Sequence, residues 1–87
     1  MQSKATKKFW KCYLNLPEPI QKTALKQYNL WIRDPAHSSL QFKKINDAWS
    51  CRVTDNYRAL GVKSGDTVIW FWIGAHGEYE TLIRRKN

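Results

Sequence analysis

The first third of the chain carries apolar residues at helical spacing. Between Lys7 and Leu16 they fall on one side of a helix that turns by about 100° per residue, with lysines opposite. The residues of this stripe are Phe9, Trp10, Tyr13, Leu14 and Leu16. The pattern predicts an amphipathic helix that begins after the N-cap residue Thr6 and buries its apolar stripe.

A second helix is predicted directly after the first. Pro17 and Pro19 interrupt the first helix, but proline is tolerated in the opening turn of another. The predicted buried stripe comprises Ile20, Ala24, Tyr28 and Trp31, flanked by Leu25 and Ile32. Asp34–Pro35 then ends the helix, because the residue before a proline disfavours helical geometry. The two helices are expected to form a hairpin.

Beyond Ser39 the pattern changes to short apolar runs bounded by turn residues. Strands are predicted at 40–45, 49–53, 57–63 and 67–74. The connections between them are short, which favours antiparallel neighbours. After Gly74, a stripe of Tyr79, Leu82 and Ile83 predicts a short final helix. Residues 1–87 are therefore predicted to form one α+β domain, a helical hairpin packed on a four-stranded antiparallel sheet with a short C-terminal helix.

The last predicted strand is apolar on both faces. By alternation, Ile69, Phe71 and Ile73 share one face, while Val68, Trp70 and Trp72 share the other. Such a strand is usually central in its sheet and covered on both sides. The helical hairpin can cover one face. The second face is covered either by the C-terminal segment and lysine stems, or by a partner protein.

The strand at 57–63 contains an arginine that alternation does not place. Arg58 has the parity of Leu60 and Val62, so a regular strand points it the same way as two aliphatic residues. Either a bulge near Asp55–Asn56 re-aims Arg58, or this side chain lies at the margin of the sheet.

The net charge of the chain indicates what kind of partner it binds. Fifteen Lys and Arg against seven Asp and Glu give a net charge of +8, which favours an anionic partner such as nucleic acid or an acidic protein. The alternative is a basic protein whose charge serves solubility alone. No run approaches the roughly 18 apolar residues of a membrane helix, and the polar N-terminus is unlike a secretory signal. Two cysteines without metal-ligand spacing fit free thiols in a reducing cytoplasm better than a disulfide framework, with a single bridge as the alternative, and they predict chemistry without metal or cofactor.

Five short motifs in order along the chain carry a resemblance. They are LP-x-x-I-Q (16–21), L-x-F-K-K (40–44), W-S-x-R-V (49–53), N-Y-R-A-L (56–60) and W-x-W-I-G-x-H-x-E-Y (70–79). From about Phe9 to Ile83 the chain resembles the RelE/ParE superfamily of bacterial type II toxins. The resemblance implies a toxin neutralised by a cognate antitoxin, with operator DNA contacted only through that antitoxin. RelE-type relatives usually begin with a strand, for which only residues 1–5 are available here, so that strand is expected to be short or absent.

The resemblance also implies candidate site residues. They are His76, Tyr79, Arg52, Arg58, Lys43 and Lys44. In metal-free RNA cleavage the 2′-hydroxyl attacks the adjacent phosphate, and the protein supplies proton transfer and positive charge. His76 would be the general base or acid, and Arg52 with Arg58 would hold the phosphate. Lys43 and Lys44, of which strand alternation allows only one to face a given site, would position the RNA backbone. Tyr79 would stack on a base or assist proton transfer.

The resulting functional prediction is a metal-independent, ribosome-dependent mRNA endoribonuclease that inhibits translation. Two alternatives stay open: a ParE-like inhibitor of DNA gyrase, and a non-catalytic module that binds RNA or antitoxin. Structural roles also stay open, since His76 can cap the last helix and Tyr79 can pack with its stripe. Cys51 shares a face with Trp49 and Val53 and is predicted to be a core residue. The antitoxin is expected over the Trp70/Trp72 face or the arginine groove.

Overall fold

The structure is a computed structural model in which residues 1–84 are described. In chain order the elements are β1 (Gln2–Ala5), α1 (Lys7–Leu14), α2 (Glu18–Arg33), a 3₁₀ turn (Ser38–Leu40), β2 (Lys43–Ile45), β3 (Ala48–Thr54), β4 (Tyr57–Ser64), β5 (Thr67–Ala75) and α3 (His76–Arg84). None of the helices in this range is both long and apolar enough to cross a membrane. The predicted α+β class, helical hairpin and short C-terminal helix are confirmed.

The sheet has five strands in the order β1-β5-β4-β3-β2. β2 to β5 are antiparallel neighbours as predicted, but β1 adds a fifth strand parallel to β5, with Gln2 opposite Thr67 and Ala5 opposite Trp70. The prediction of a purely antiparallel, four-stranded sheet is therefore wrong. β1 is short and polar, and its partner lies at the other end of the chain, so the local pattern gives no signal for it.

The helices begin and end for local reasons. The Thr6 side chain accepts a hydrogen bond from the backbone N–H of Phe9 at 3.1 Å, which confirms the predicted N-cap. α1 ends at Leu14, two residues before the predicted end at Leu16. α2 has Pro19 in its first turn and ends at Arg33, where the N–H of Asp34 donates to the carbonyl of Leu30 at 2.7 Å.

The main core lies between the sheet and the helical hairpin. Its buried members are Leu16, Trp31, Leu40, Cys51, Val53, Ala59, Val68, Trp70 and Ile73. Trp31 is only 1% exposed, and its ring meets those of Trp70 and Phe42 edge-on at centroid distances of 5.5 and 5.6 Å. Edge-to-face aromatic pairs of this kind add about 0.5–1.5 kcal/mol each beyond the area they bury.

The apolar stripes of the two helices are only partly buried, which corrects the predicted burial. Trp10 is 49% exposed and Leu14 is 70% exposed, and Leu25, Tyr28 and Ile32 are also exposed. α1 packs mainly on β5, whereas α2 packs mainly on β3. Between them lies an apolar opening of about 320 Å³, here called the helical groove, whose floor includes Trp31 and Trp70.

A bulge at Phe71 divides β5 between two cores. Leu60 of β4 lies opposite Trp72, but the next residue, Gly61, lies opposite Trp70, so Phe71 is an extra residue. The alternation therefore changes phase: Trp70 and Ile73 both enter the main core, while Trp72 enters the opposite side. The predicted face assignment is wrong beyond Trp70, because it assumed an unbroken period of two.

A second, smaller core lies on the other side of the sheet under α3. Its buried members are Ala48, Leu60, Trp72 and Tyr79, with Leu82 and Ile83 packed against them. Trp72 is 6% exposed, so the chain's own C-terminal helix covers this face. Trp72 therefore presents no open face to a partner, whereas Trp70 lies on the other side of the sheet at the floor of the helical groove. Arg58 keeps the parity of Leu60, and the irregularity near it lies in β3 between Arg52 and Thr54.

Candidate functional site

A polar cleft opens beside the second core, between α3 and the end of the sheet. Its volume is about 310 Å³, and its lining includes Lys43, Ser50, Arg58, His76, Tyr79 and Glu80. Arg84 completes the lining on the α3 side, so three cationic side chains face one carboxylate. This excess of positive charge suits an anionic ligand.

His76 is the first residue of α3 and stands at the mouth of the cleft. Its backbone N–H donates to the carbonyl of Asn56 at 2.7 Å, which ties the start of α3 to the β3–β4 turn. In its side chain, Nδ1 lies 3.0 Å from Oε1 of Glu80. The imidazole is 39% exposed, and its centroid lies 5.5 Å from that of Tyr79. His76 is therefore both fixed at its main chain and accessible at its ring.

Arg58 is held at the base of the cleft by the turn that precedes it. Its Nη1 donates to the carbonyls of Thr54, Asp55 and Tyr57, with distances of 3.3 Å to Asp55 and 3.0 Å to Tyr57. Within residues 1–84, all of its hydrogen bonds use this single nitrogen, so the rest of the guanidinium fork is left for a ligand. An anion in the cleft could accept from those remaining N–H groups.

Gly74, which lies directly opposite Arg58 in β5, makes room for this arrangement. A Cβ at Gly74 would lie 2.6 Å from Cζ2 of Trp72, closer than such atoms approach in real structures. The glycine therefore lets the Trp72 indole pack under α3 beside the arginine.

Arg52 does not line the cleft, although it lies opposite Arg58 in the sheet. Its guanidinium forms an ion pair with the Asp55 carboxylate, and Nη1 lies 3.5 Å from the carbonyl of Ser39. The hydrogen bond from Arg52, together with its charge, holds the pKa of Asp55 below its ordinary value. This contribution to stability is present at neutral pH and is lost as the pH falls through the lowered pKa, and it is small because the carboxylate is exposed.

Strand alternation separates the two lysines of β2. Lys43 lies opposite Ser50 and lines the cleft, whereas Lys44 lies opposite Trp49 on the other face. Tyr79 is 6% exposed and belongs both to the second core and to the cleft lining. Of the six predicted site residues, the structure thus brings together Lys43, Arg58, His76 and Tyr79.

Two charged residues of the cleft were not predicted from the sequence. Glu80 contacts His76, and Arg84 lies 3.5 Å from the other oxygen of Glu80. The spacing of His76, Glu80 and Arg84 by four residues on a helix was the available signal. In the described residues, no three His, Cys, Asp or Glu side chains come together as a metal site.

Cys51 is a core residue, as predicted. It is 6% exposed in the main core, and burial raises the pKa of its thiol to about 12, with the charge of Arg58 acting weakly against this. A thiol that stays protonated at neutral pH is a poor nucleophile.

Solved toxin structures share this fold. A chain of the RelB–RelE antitoxin–toxin complex from Methanococcus jannaschii superposes with a TM-score of 0.72 at 20% identity, over 91% of this chain and 96% of that chain. YafQ from E. coli strain BL21(DE3) gives 0.72 at 8% identity, over 90% and 96%. The YoeB/ParE toxin from Agrobacterium tumefaciens gives 0.66 at 16% identity, over 87% and 99%. No curated protein matches the chain.

The family comparison is more specific than the shared fold. Residues 18–81, most of the chain, match the family described as the ParE-like toxin domain. This segment contains all six predicted site residues and every strand except β1. The chain therefore belongs to the ParE-like toxin domain family, within the RelE/ParE superfamily of type II toxins.

Proposed function

We propose that this toxin cleaves mRNA on the ribosome without a metal ion and so inhibits translation. The observation that carries the proposal is the single cleft that holds His76, Tyr79, Arg58 and Lys43. A proton-transfer group, an aromatic ring and two cationic side chains in one cleft are the groups that RNA cleavage needs. The requirement for the ribosome comes from the superfamily resemblance, and the proposed cytoplasmic site of action rests on the two free cysteines.

The chemistry follows from the positions of these groups. The 2′-hydroxyl of the RNA loses its proton to the imidazole of His76 as its oxygen bonds to phosphorus. The bond from phosphorus to the 5′-oxygen breaks, and that oxygen takes a proton from water. Arg58 and Lys43 stabilise the negative charge that builds up on the phosphate oxygens. Tyr79 is largely buried but lines the cleft, so it contacts the neighbouring nucleotide there.

The family match favours one further candidate, inhibition of DNA gyrase, because the matching family is described as ParE-like. Such an inhibitor would use the same basic surface to bind protein instead of RNA. It would need no proton transfer at His76.

One paired experiment tests the proposal. On expression of the toxin, we expect growth arrest and new 5′ ends within translated codons, detected by primer extension on cellular mRNA. In parallel, the purified toxin should leave gyrase supercoiling unaffected. Intact mRNA together with blocked supercoiling would show that the protein inhibits gyrase instead. Intact mRNA together with active gyrase would indicate the non-catalytic module that binds RNA or antitoxin.

The helical groove is a suitable docking surface for an antitoxin. The M. jannaschii relative was solved in an antitoxin–toxin complex. The exposed apolar residues that line the groove are Trp10, Leu25 and Tyr28. Lys4 also lines the groove, and Lys7 and Lys22 lie three positions before Trp10 and Leu25 on the same helix faces. An apolar floor with basic edges fits an amphipathic helix with acidic flanks, so we place the antitoxin here and not over Trp72, which is buried.

Truncation of Trp10 should weaken antitoxin binding more than it lowers the stability of the free toxin. Trp10→Ala is expected to weaken antitoxin binding by about 2 kcal/mol, as for an aromatic interface anchor, which is roughly thirty-fold in Kd. Since the side chain is half exposed in the free toxin, the free energy of unfolding should fall by only about 1 kcal/mol. The measurement is titration calorimetry with the protein encoded beside the toxin gene.

Val62→Ala is the matched control, because Val62 is an exposed apolar residue of β4 outside the groove. An equal loss of affinity in both variants would contradict the placement. Added salt should weaken binding, because exposed charges are screened over about 8–10 Å at ordinary ionic strength.

A further inference from the structure

Glu80 connects two other residues of α3 through its two carboxylate oxygens. Oε1 lies 3.0 Å from Nδ1 of His76, and Oε2 lies 3.5 Å from Nη2 of Arg84. Because a carboxylate at this distance repels a nitrogen lone pair and attracts an N–H group, the hydrogen of the neutral imidazole is favoured on Nδ1. Nε2 then carries the free lone pair.

We propose that Glu80 is a positioning residue that holds His76 in the Nδ1–H tautomer and so presents Nε2 to the cleft. The proposal rests on the proposed function, in which His76 takes the proton of the 2′-hydroxyl. Only the Nε2 lone pair can do so while Nδ1 carries the hydrogen. After the transfer, the carboxylate lies beside the imidazolium and stabilises its charge.

The rest of the environment leaves the orientation of the ring to Glu80. The hydrogen bond from the His76 backbone to Asn56 fixes the start of α3 but does not touch the ring. Tyr79 lies beside the ring at a centroid distance of 5.5 Å and an angle of 38°, a contact without tautomer preference. Among the residues described here, Glu80 is the only acid that contacts the imidazole, with a carboxylate oxygen 3.0 Å from Nδ1.

The other histidine provides an internal reference. Nδ1 of His37 accepts the backbone N–H of Ser39 at 3.2 Å, so neutral His37 must carry its hydrogen on Nε2. The two histidines of the chain are therefore expected in opposite tautomers. Because ¹⁵N chemical shifts distinguish protonated from unprotonated ring nitrogens, both can be read from one spectrum.

The test combines this spectrum with cleavage on ribosomes. In the wild-type toxin, His76 should show a protonated Nδ1, and in Glu80→Ala the hydrogen should move towards Nε2. The same variant should cut mRNA roughly 10–100-fold more slowly, as found for residues that orient metal-bound histidines. Glu78→Ala is the matched control, since Glu78 is an exposed acid of the same helix that does not line the cleft.

Each outcome is decisive for the positioning role. An unchanged His76 tautomer in Glu80→Ala would overturn it, as would a cleavage rate equal to that of the Glu78→Ala control. A tautomer that changes in a toxin whose wild type cuts no RNA would support the control of His76 by Glu80 and overturn the proposed function.

Discussion

His76→Gln is expected to slow mRNA cleavage by about 10²–10⁴-fold, the usual contribution of a general acid or base. Glutamine is similar in size and keeps a polar side chain beside Glu80, but it has no group that takes up a proton near pH 7. The imidazole is 39% exposed at the start of α3, so its replacement should change the fold little. The rate is to be measured by primer extension on purified ribosomes with bound mRNA.

His37→Gln serves as the control for this substitution, since His37 is exposed and precedes the 3₁₀ turn, away from the cleft lining. Ribosome binding should be nearly unchanged in both variants, because the imidazole supplies one small part of a large basic surface. If His76→Gln cut mRNA at the wild-type rate, the imidazole would have no part in proton transfer.

Arg58→Ala is expected to reduce the cleavage rate by about 10²–10³-fold, by analogy with the loss of one oxyanion donor. The variant removes the guanidinium nitrogens that the β3–β4 turn leaves free for a phosphate. It also removes three hydrogen bonds to turn carbonyls, so thermal unfolding must be measured beside activity. Arg58→Lys keeps the charge without the fork and should recover only part of the rate.

Arg52→Ala is the matched comparison, since Arg52 lies opposite Arg58 but its guanidinium is paired with Asp55. We expect a much smaller loss for this variant. Equal losses at Arg52 and Arg58 would mean that Arg52 leaves Asp55 to join Arg58 on the phosphate, as the sequence alone suggested.

The elements of the fold that depend on local periodicity could be predicted, and those that depend on distant contacts could not. Thr6 and Asp34 delimit the helices by local hydrogen bonding and steric rules, which residue identity reveals. β1 depends on a parallel partner at the other end of the chain, and its short polar sequence resembles a disordered terminus. The bulge at Phe71 could not be predicted either. When every residue of a strand is apolar, the sequence does not show which residues lie on which face.

The site residues likewise include some that local spacing places correctly and others whose position depends on contacts with neighbouring groups. Alternation separated Lys43 from Lys44 correctly, because their pairing with β3 is regular. It could not separate Arg52 from Arg58, which have the same parity in paired strands. Their difference lies in which neighbour satisfies each guanidinium, the Asp55 carboxylate for one and turn carbonyls for the other. Glu80 was within reach of helical spacing, since a residue four positions after His76 must share its face.

The pairing of β1 with β5 also predicts the order in which the strands of the sheet come together. β2 to β5 are joined by short turns, so their hairpins close small loops and can form early. The pairing of Gln2 with Thr67 closes a loop that spans most of the chain, so β1 is expected to dock late. During synthesis, the first strand of the toxin leaves the ribosome long before its partner exists. The segment 2–5 must wait unpaired until β5 emerges, and the N-terminus should therefore be the last part of the sheet to gain protection from hydrogen exchange.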